Sequence, residues 1–214
     1  MLFYNGLKEK FGLAACEVFI NGIVVKKSGS EFEEFKKEKF EELRKNYTLE
    51  ALKENQLIRC YRDFYWGIGI DPTKQRPSAE ALLRRVFAGK YLPSINNVVD
   101  SYNLASVLTL IPMGAYDAAK IKGELRIRYS KEESFAGIGG VSYKTSNEIV
   151  IADEEKLLCI YPYRDSELTK VTEATSSIAI VLCGVKGVSE EYLKESAKAT
   201  LELVTKFCGG EGII

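Results

Sequence analysis

The chain has 214 residues, with 30 basic and 30 acidic side chains, five cysteines and no histidine. This length predicts one large domain, and a net charge of zero argues against broad, non-specific nucleic-acid binding, which depends on neutralising phosphates. The lack of histidine excludes Ser-His-Asp and Cys-His triads, histidine acid–base chemistry and histidine-based zinc sites. Any catalysis must use carboxylates, hydroxyls, backbone amides or groups of the substrate.

The cysteines and the apolar runs indicate where the chain resides. The number of cysteines is odd and none forms a CxxC pair, which predicts free thiols in a reducing compartment. No run approaches the roughly 18 apolar residues of a membrane span. The start, "MLFYNGLKEKFG", lacks the apolar core of a signal peptide. We therefore expect a cytoplasmic protein.

The first 60 residues predict a hairpin and an amphipathic helix. "CEVFINGIVVKK" alternates around Asn21-Gly22, a strong local hairpin signal. After Ser30, an apolar stripe within "EFEEFKKEKFEELRKN" predicts a helix with a charged outer face. Thr48 then predicts the N-cap of a second, short helix.

The middle of the chain is predicted to be helical. The aromatic stretch "YRDFYW", which ends at Trp66, favours core packing; stacking on a nucleic-acid base is the alternative. Ser78 is the predicted N-cap of "AEALLRRVFAGK", and "INNVVDSYNLASVLTL" predicts a helix that ends before Pro112.

Short β-branched runs replace the helical pattern after about residue 123. "ELRIRYS", "EIVIAD", "KLLCIYPY" and "SSIAIVLCGV" predict strands. A last helix is predicted to begin after Ser189 as N-cap and to end at Gly209. Helices first, strands later and one closing helix favour an α+β fold, with a layered β-sheet core and flanking helices.

One segment is specific enough to compare with a known family. Residues 95–117, "INNVVDSYNLASVLTLIPMGAYD", resemble part of the B3/B4 editing module in the β subunit of bacterial-type phenylalanyl-tRNA synthetase. The shared positions are Asn96, Val98, Val99, Asp100, Asn103, Pro112, Met113, Ala115, Tyr116 and Asp117. "VIAD" at 150–153 and "CGGEG" at 208–212 extend the resemblance.

The resemblance implies a free-standing relative of that module. Its fold would be that of the editing domain, over residues 61–214 of a single domain 1–214, with residues 1–60 completing the fold. Its activity would be hydrolysis of a misacylated aminoacyl-tRNA in trans, with the aminoacylated 3′ end of tRNA as partner. Neither DNA nor a membrane is expected as partner, and neither aminoacylation nor a cofactor is expected. The alternative is a non-catalytic module that binds tRNA, RNA or an amino acid.

The same resemblance implies two site residues, and the sequence differs from the family pattern at two places. Glu167 matches the glutamate that reads the tyrosine hydroxyl of the wrong amino acid, and Asn103 matches a pocket asparagine. Gly114 stands where the family usually has histidine. Residues 162–166 replace a glycine-rich turn, so the pocket is expected to accept a different side chain.

The segment "YPYRDSELTKVTEAT", residues 161–175, supports a pocket on its own chemistry. An aminoacyl ester is activated, and its hydrolysis needs a positioned water and donors to the oxyanion rather than a protein nucleophile. Arg164 would bind a carboxylate or phosphate, Asp165 or Glu167 an ammonium or hydroxyl group, and Thr169 and Thr172 would line the floor and position water. Glu167 and Thr169 are the catalytic candidates. The alternative is a capped turn in which Arg164 pairs with a neighbouring carboxylate.

The most basic local cluster suggests where RNA would bind. Arg76, Arg84 and Arg85 are candidates for phosphate contacts with a tRNA acceptor end, and a solvated helix face is the alternative. No group of carboxylates has the spacing of a metal site.

Overall fold

A computed structural model describes residues 3, 4, 6–90 and 92–214 of the chain. The described residues form seven α-helices: α1 (Leu7–Phe11), α2 (Ser30–Asn46), α3 (Leu49–Glu54), α4 (Gln56–Gly67), α5 (Ser78–Phe87), α6 (Asn97–Thr109) and α7 (Glu190–Cys208). They also form eleven strands: β1 (Phe3–Tyr4), β2 (Ala14–Asn21), β3 (Met113–Asp117), β4 (Arg126–Tyr129), β5 (Ser134–Gly137), β6 (Val141–Lys144), β7 (Ile149–Ala152), β8 (Leu157–Ile160), β9 (Arg164–Asp165), β10 (Ser177–Gly184) and β11 (Glu211–Ile213). Two short 3-10 helices lie at Ala118–Lys120 and Glu167–Thr169.

A four-stranded antiparallel sheet forms the centre, in the order β11-β2-β10-β3. Strand β10 is buried along nearly its whole length because it lies between two other strands and its residues are almost all apolar. Helix α7 packs on β2 and on α6. This layered arrangement of a sheet and helices is the predicted α+β fold.

A second sheet has the order β1-β4-β7-β8-β9, in which only the β1–β4 pair is parallel. Strands β5 and β6 form a separate hairpin. A hydrogen bond connects the sheets: the hydroxyl of Tyr161, directly after β8, donates to the Gly184 carbonyl oxygen at the end of β10 (2.7 Å). The second sheet is thereby fixed against the first. The hydroxyl of Tyr61 on α4 donates to the Cys183 carbonyl oxygen, beside that of Gly184 (2.6 Å).

The predicted hairpin at Asn21-Gly22 is wrong. The chain does turn there, but residues 23–29 form no strand, because β10 and β11 occupy both edges of β2. The backbone nitrogens of Gly22 and Ile23 donate instead to Ser176 O, at 2.8 and 3.0 Å. The Asn-Gly signal correctly marks a turn, but it does not determine which strand pairs with β2.

Most other predicted elements are confirmed, with different details at three places. Thr48 caps α3 by accepting a hydrogen bond from Ala51 N, and Ser189 caps α7. Ser78 is the first residue of α5 and makes no side-chain cap, so its predicted role as N-cap is wrong. Strand β3 lies where only a chain break was predicted. Trp66 is 57% exposed, so the expectation that it packs in the core is also wrong.

Asn97 joins three separate segments at the start of α6. Its side chain is buried, its Nδ2 donates to Val24 O (2.9 Å) and Phe207 O (3.2 Å), and its Oδ1 accepts from Lys26 N (2.9 Å). Asn97→Ala would leave these three backbone groups without a partner. We expect a loss of about 3 kcal/mol in the free energy of unfolding, measured by urea denaturation.

The control for this prediction is the neighbouring residue Asn96, the N-cap of α6, whose side chain accepts from Val99 N. Serine caps helices about as well as asparagine, so Asn96→Ser should change stability by less than about 0.5 kcal/mol. Equal effects of the two substitutions would contradict the role assigned to Asn97.

Candidate functional site

Gly114 and Tyr116 lie on the same face of β3, because alternate residues of a strand point to the same side. That face meets Asp165 of β9. A Cβ at position 114 would lie 2.7 Å from Asp165 Oδ1 and 2.8 Å from the Tyr116 hydroxyl oxygen. Asp165 therefore takes up the space that a side chain at Gly114 would need. We call the group formed by Gly114, Tyr116 and Asp165 the Asp165 recess.

Short-range contacts hold Asp165 in place. The Tyr116 hydroxyl donates to Asp165 Oδ1 at 3.1 Å. The backbone of Asp165 pairs with Cys159 of β8, and its carbonyl oxygen accepts from Ile138 N at 3.0 Å. Arg164 points to the other face of β9, where its side chain packs beside Gly137. Arg164 and Asp165 thus do not pair, and the capped-turn interpretation fails for them.

The carboxyl of Asp165 lacks a cationic partner within the described part of the chain. Burial raises its pKa to about 6, against hydrogen bonds from Tyr116 and Cys159 that lower it. Burial, together with the charge of Asp165, also raises the pKa of the Tyr102, Tyr116 and Cys159 side chains. A carboxyl group with a pKa raised by burial is a common mark of a functional site.

Helix α6 brings Tyr102 close enough to Asp165 for the charge of that carboxylate to raise the pKa of the Tyr102 hydroxyl, in addition to burial. Asn103, which the sequence predicts as a site residue, is the next residue of the helix. Asn103 is partly buried, and its side chain makes no hydrogen bond among the described residues. Sequence reasoning missed Tyr102 and, as a site residue, Tyr116. The two-residue spacing from Gly114 to Tyr116 would have indicated a shared face if β3 had been predicted as a strand.

Glu167 and Thr169 belong to a 3-10 helix directly after the recess. Glu167 forms an ion pair with Lys170, and its side chain is 42% exposed. Thr169 is fully buried, and its Oγ1 has no hydrogen-bond partner among the described residues. A buried hydroxyl without a partner is uncommon and costs stability unless a water molecule or ligand satisfies it.

Thr172 belongs to a locally closed loop. Thr175 Oγ1 donates to Asp117 Oδ2 at 2.8 Å and accepts from Thr172 N at 3.0 Å. The Thr172 hydroxyl lies 3.5 Å from that of Thr175, and Lys120 pairs with Asp117. These contacts give Thr172 a structural role in the loop, and they do not direct it to the recess.

The predicted RNA-binding arginines have different surroundings. Glu80 is buried, and its carboxylate is bound by Arg62 and by Arg84, whose Nε lies 2.6 Å from Glu80 Oε1. Burial raises the pKa of Glu80, but these two guanidinium groups outweigh it and lower the pKa overall. Arg76 and Arg85 are exposed. Arg84 thus has a structural ion pair that Arg76 lacks.

Comparison with known proteins identifies the family. The sequence model of the B3/4 domain matches residues 60–209. The chain belongs to the B3/4 domain family. This confirms the predicted resemblance, and the match contains the whole Asp165 recess.

Relatives of this B3/4 domain include much longer proteins. The phenylalanine–tRNA ligase beta subunit of Bartonella quintana (strain Toulouse) is 30% identical over 146 residues, which are 56% of this chain and 18% of that protein. The beta subunit of the same ligase from Fusobacterium nucleatum subsp. nucleatum is 34% identical over 124 residues, or 57% of this chain and 15% of that protein. The chain thus spans less than a fifth of the length of these relatives.

The fold of the B3/4 domain also has a counterpart among solved structures. The N-terminal fragment of the phenylalanyl-tRNA synthetase beta subunit from Pyrococcus horikoshii superposes with a TM-score of 0.51 at 14% identity. The superposition covers 99% of this chain and 49% of that chain. It supports the fold and leaves the chemistry of the site to be argued from the residues.

Two absences concern only the described residues. No cluster of three or more cysteine, aspartate or glutamate side chains there is arranged to hold a metal ion. None of the described helices is sufficiently long and apolar to cross a membrane.

The contact between Gly114 and Asp165 can be tested by a double-mutant cycle. Gly114→Ala places a methyl group against the Asp165 carboxyl and should lower the free energy of unfolding by about 1–3 kcal/mol. In an Asp165→Gly background the cost should fall below about 1 kcal/mol, because one of the two crowded atoms is gone. Both values come from chemical denaturation.

Gly67→Ala is the control for this cycle, since the nearest atom to the new methyl group outside its own helix would be Phe11 Cε1, at 3.9 Å. It should leave stability unchanged or raise it slightly. If Gly114→Ala cost as much with Asp165→Gly as without it, the proposed contact would be ruled out.

The raised pKa of Asp165 predicts a pH-dependent difference in stability. The native state holds this proton more tightly than the unfolded chain, so stability is lost as pH rises from about 4 through about 6. Asp165→Asn carries no such charge. We expect it to match the wild type below pH 4 and to be about 3 kcal/mol more stable above pH 7.

Urea denaturation across this pH range measures the difference, with the exposed acid Asp63→Asn as control. If the stability difference between Asp165→Asn and the wild type did not vary with pH, the pKa of the Asp165 carboxyl would not be raised. An Asp165→Asn variant less stable than the wild type at pH 8 would show the same.

Proposed function

We propose that this B3/4 domain hydrolyses the ester bond of a misacylated aminoacyl-tRNA in trans, in the cytoplasm. The observation that carries the proposal is the Asp165 carboxyl, which is packed against Gly114 and Tyr116 and has no cation beside it among the described residues. The α-ammonium group of an aminoacyl ester would supply that cation. The relatives' name, phenylalanine–tRNA ligase beta subunit, makes tRNA the natural carrier of such an ester.

The proposed binding follows from charge and size. In its ionised form Asp165 binds the α-ammonium group, and Tyr116 holds the carboxyl in position by its hydroxyl. Asp165 and Tyr116 fill the volume that a side chain at Gly114 would need, so the amino acid would reach the carboxyl from another side. Asn103, beside Tyr102 on α6, would contact the amino acid or the terminal ribose.

The reaction needs little from the protein. Water adds to the ester carbonyl, the bond to the ribose oxygen breaks, and that oxygen takes a proton to become the free hydroxyl of tRNA. The buried Thr169 hydroxyl, which has no partner among the described residues, would position the water. Backbone amides near Asp165 would stabilise the oxyanion. The ribose hydroxyl beside the ester would assist the proton transfer, so no histidine is required.

The remaining predicted residues take lesser roles in this proposal. Glu167 lies at the exposed margin and would meet substrate only after leaving Lys170. Arg164, on the other face of β9, and the exposed Arg76 and Arg85 are proposed contacts for phosphates of the acceptor end. Arg84 would contribute less to phosphate binding, because its guanidinium group is already bound to Glu80. Residues 1–60 act in the same domain, since they supply β2 to the central sheet.

Release of amino acid from a panel of mischarged tRNAs tests the proposal. The wild type should release at least one amino acid faster than buffer, with a rate that rises as Asp165 loses its proton near pH 6. Asp165→Asn and Thr169→Val should each lower the rate about tenfold or more, the size expected from losing one charged or buried hydrogen bond. Asp63→Asn, on the exposed side of α4, should not change it.

A second candidate is a module that binds aminoacyl-tRNA without hydrolysis. The ion pair of Glu167 with Lys170 favours it, because a predicted catalytic carboxylate is already bound by a lysine. Under this alternative the wild type would protect the ester rather than cleave it. Lack of release from every tRNA of the panel would overturn the hydrolase proposal, and slower release than in buffer would support the binding module.

A further inference from the structure

A cavity with a volume of about 380 Å³ lies apart from the Asp165 recess. It opens between the end of α1, the end of α4 and the strands β4, β7 and β8. Neither Gly114, Tyr116 nor Asp165 lines it. Its volume is at the lower end of the range for small-ligand sites, about 300–1,000 Å³.

Its floor is apolar and its walls are aromatic. The buried side chains of Ile149, Ile160 and Tyr161 lie at the bottom. Phe11 and Tyr163 stand at the sides, and Tyr163 is held edge-on against Tyr65, with ring centroids 6.2 Å apart. This lining suits an apolar or aromatic group of moderate size.

A cation stands at the mouth of this cavity. Lys10 Nζ donates to the Tyr129 hydroxyl at 3.2 Å and lies 5.0 Å from the centroid of the Phe11 ring. Among the described residues it makes no ion pair with a carboxylate. Its charge is therefore held in place by a phenol and by aromatic faces, and a ligand anion could still bind it.

An anion lines the same cavity. Glu148 Oε2 accepts hydrogen bonds from Ser130 Oγ (3.1 Å) and from the backbone nitrogen of Ser146. The Glu148 backbone is fixed as well, through bonds in both directions to Ser130. Oε1 has no hydrogen bond, and no lysine or arginine pairs with this carboxylate in the described part of the chain. Glu148 is thus firmly positioned with one oxygen available.

We propose that this cavity binds a free α-amino acid with a large apolar side chain. The ligand carboxylate binds Lys10, the ammonium group binds Glu148, and the side chain lies on the floor formed by Ile149, Ile160 and Tyr161. An anion alone would leave Glu148 without a partner, and a cation alone would leave Lys10 without one. Only a zwitterion satisfies both charges as they leave water.

Isothermal titration calorimetry with the full chain and L-phenylalanine or L-leucine tests this site. We expect saturable 1:1 binding that weakens about tenfold or more in Lys10→Gln and in Glu148→Gln. Glu148→Gln keeps an oxygen that can accept the hydrogen bonds from Ser130 and Ser146. Lys8→Gln is the matched control, because Lys8 is exposed, pairs with Glu190 and does not line the cavity.

Ligand analogues assign each contact. Phenylalaninamide lacks the carboxylate, so it should bind weakly to the wild type, and Lys10→Gln should weaken it no further. N-acetylphenylalanine lacks the ammonium group, so it should also bind weakly to the wild type, and Glu148→Gln should weaken its binding no further. Lys10 is exposed, so its variant tests the charge even if the change at Glu148 loosens the fold.

The site is separable from the proposed hydrolase. Binding lost in Asp165→Asn but kept in the Lys10 and Glu148 variants would assign the amino acid to the Asp165 recess and overturn this inference. Absence of binding at millimolar ligand, or equal binding of the amino acid and both analogues, would also overturn it. Hydrolysis of aminoacyl-tRNA does not enter any of these outcomes.

Discussion

Strand β10, Ser177–Gly184, runs between β2 and β3, and its apolar residues are buried on both faces of the sheet. A strand buried in this way must pair along both edges, because its backbone groups have no water to bind. One partner, β2, comes from the first 60 residues, and the other, β3, carries Gly114 and Tyr116. The hydroxyls of Tyr61 and Tyr161 donate to the carbonyl oxygens at the end of β10, and so connect α4 and the second sheet to it.

Among the described residues, the other buried carboxylates have more partners than Asp165. Glu80 has two arginines, Asp153 has Lys156 and three backbone amides, and Asp100 accepts bonds from Ser28, Ser94 and the backbone of Ile95. Asp165 accepts a hydrogen bond from the Tyr116 hydroxyl, has no cation beside it among the described residues, and burial raises its pKa. A buried carboxyl with so few partners supports the proposal that a ligand with a positive charge binds there.

Periodic elements could be predicted from the sequence, and the failures have identifiable causes. Helices α2, α6 and α7 and strands β4, β7, β8 and β10 follow from apolar spacing and caps. The Asn21-Gly22 turn was right, yet the hairpin was wrong, because β11 from the far end of the chain pairs with the edge of β2. Strand β3 was missed because "IPMG" resembles a break. The aromatic neighbours of Trp66 predict the core, but α4 buries Tyr61, Phe64 and Tyr65 on one face and leaves Trp66 on the exposed one.

The sequence by itself determined the α+β class, chemistry without histidine and the resemblance to the B3/4 family. Those properties depend on composition, on local spacing and on a contiguous motif. Only the tertiary structure brought Gly114 against Asp165, bound Arg84 to Glu80 and placed Lys10 and Glu148 around one cavity. The physical reason is that local periodicity reveals which face of an element is buried, whereas the packing of distant elements decides which side chains meet there.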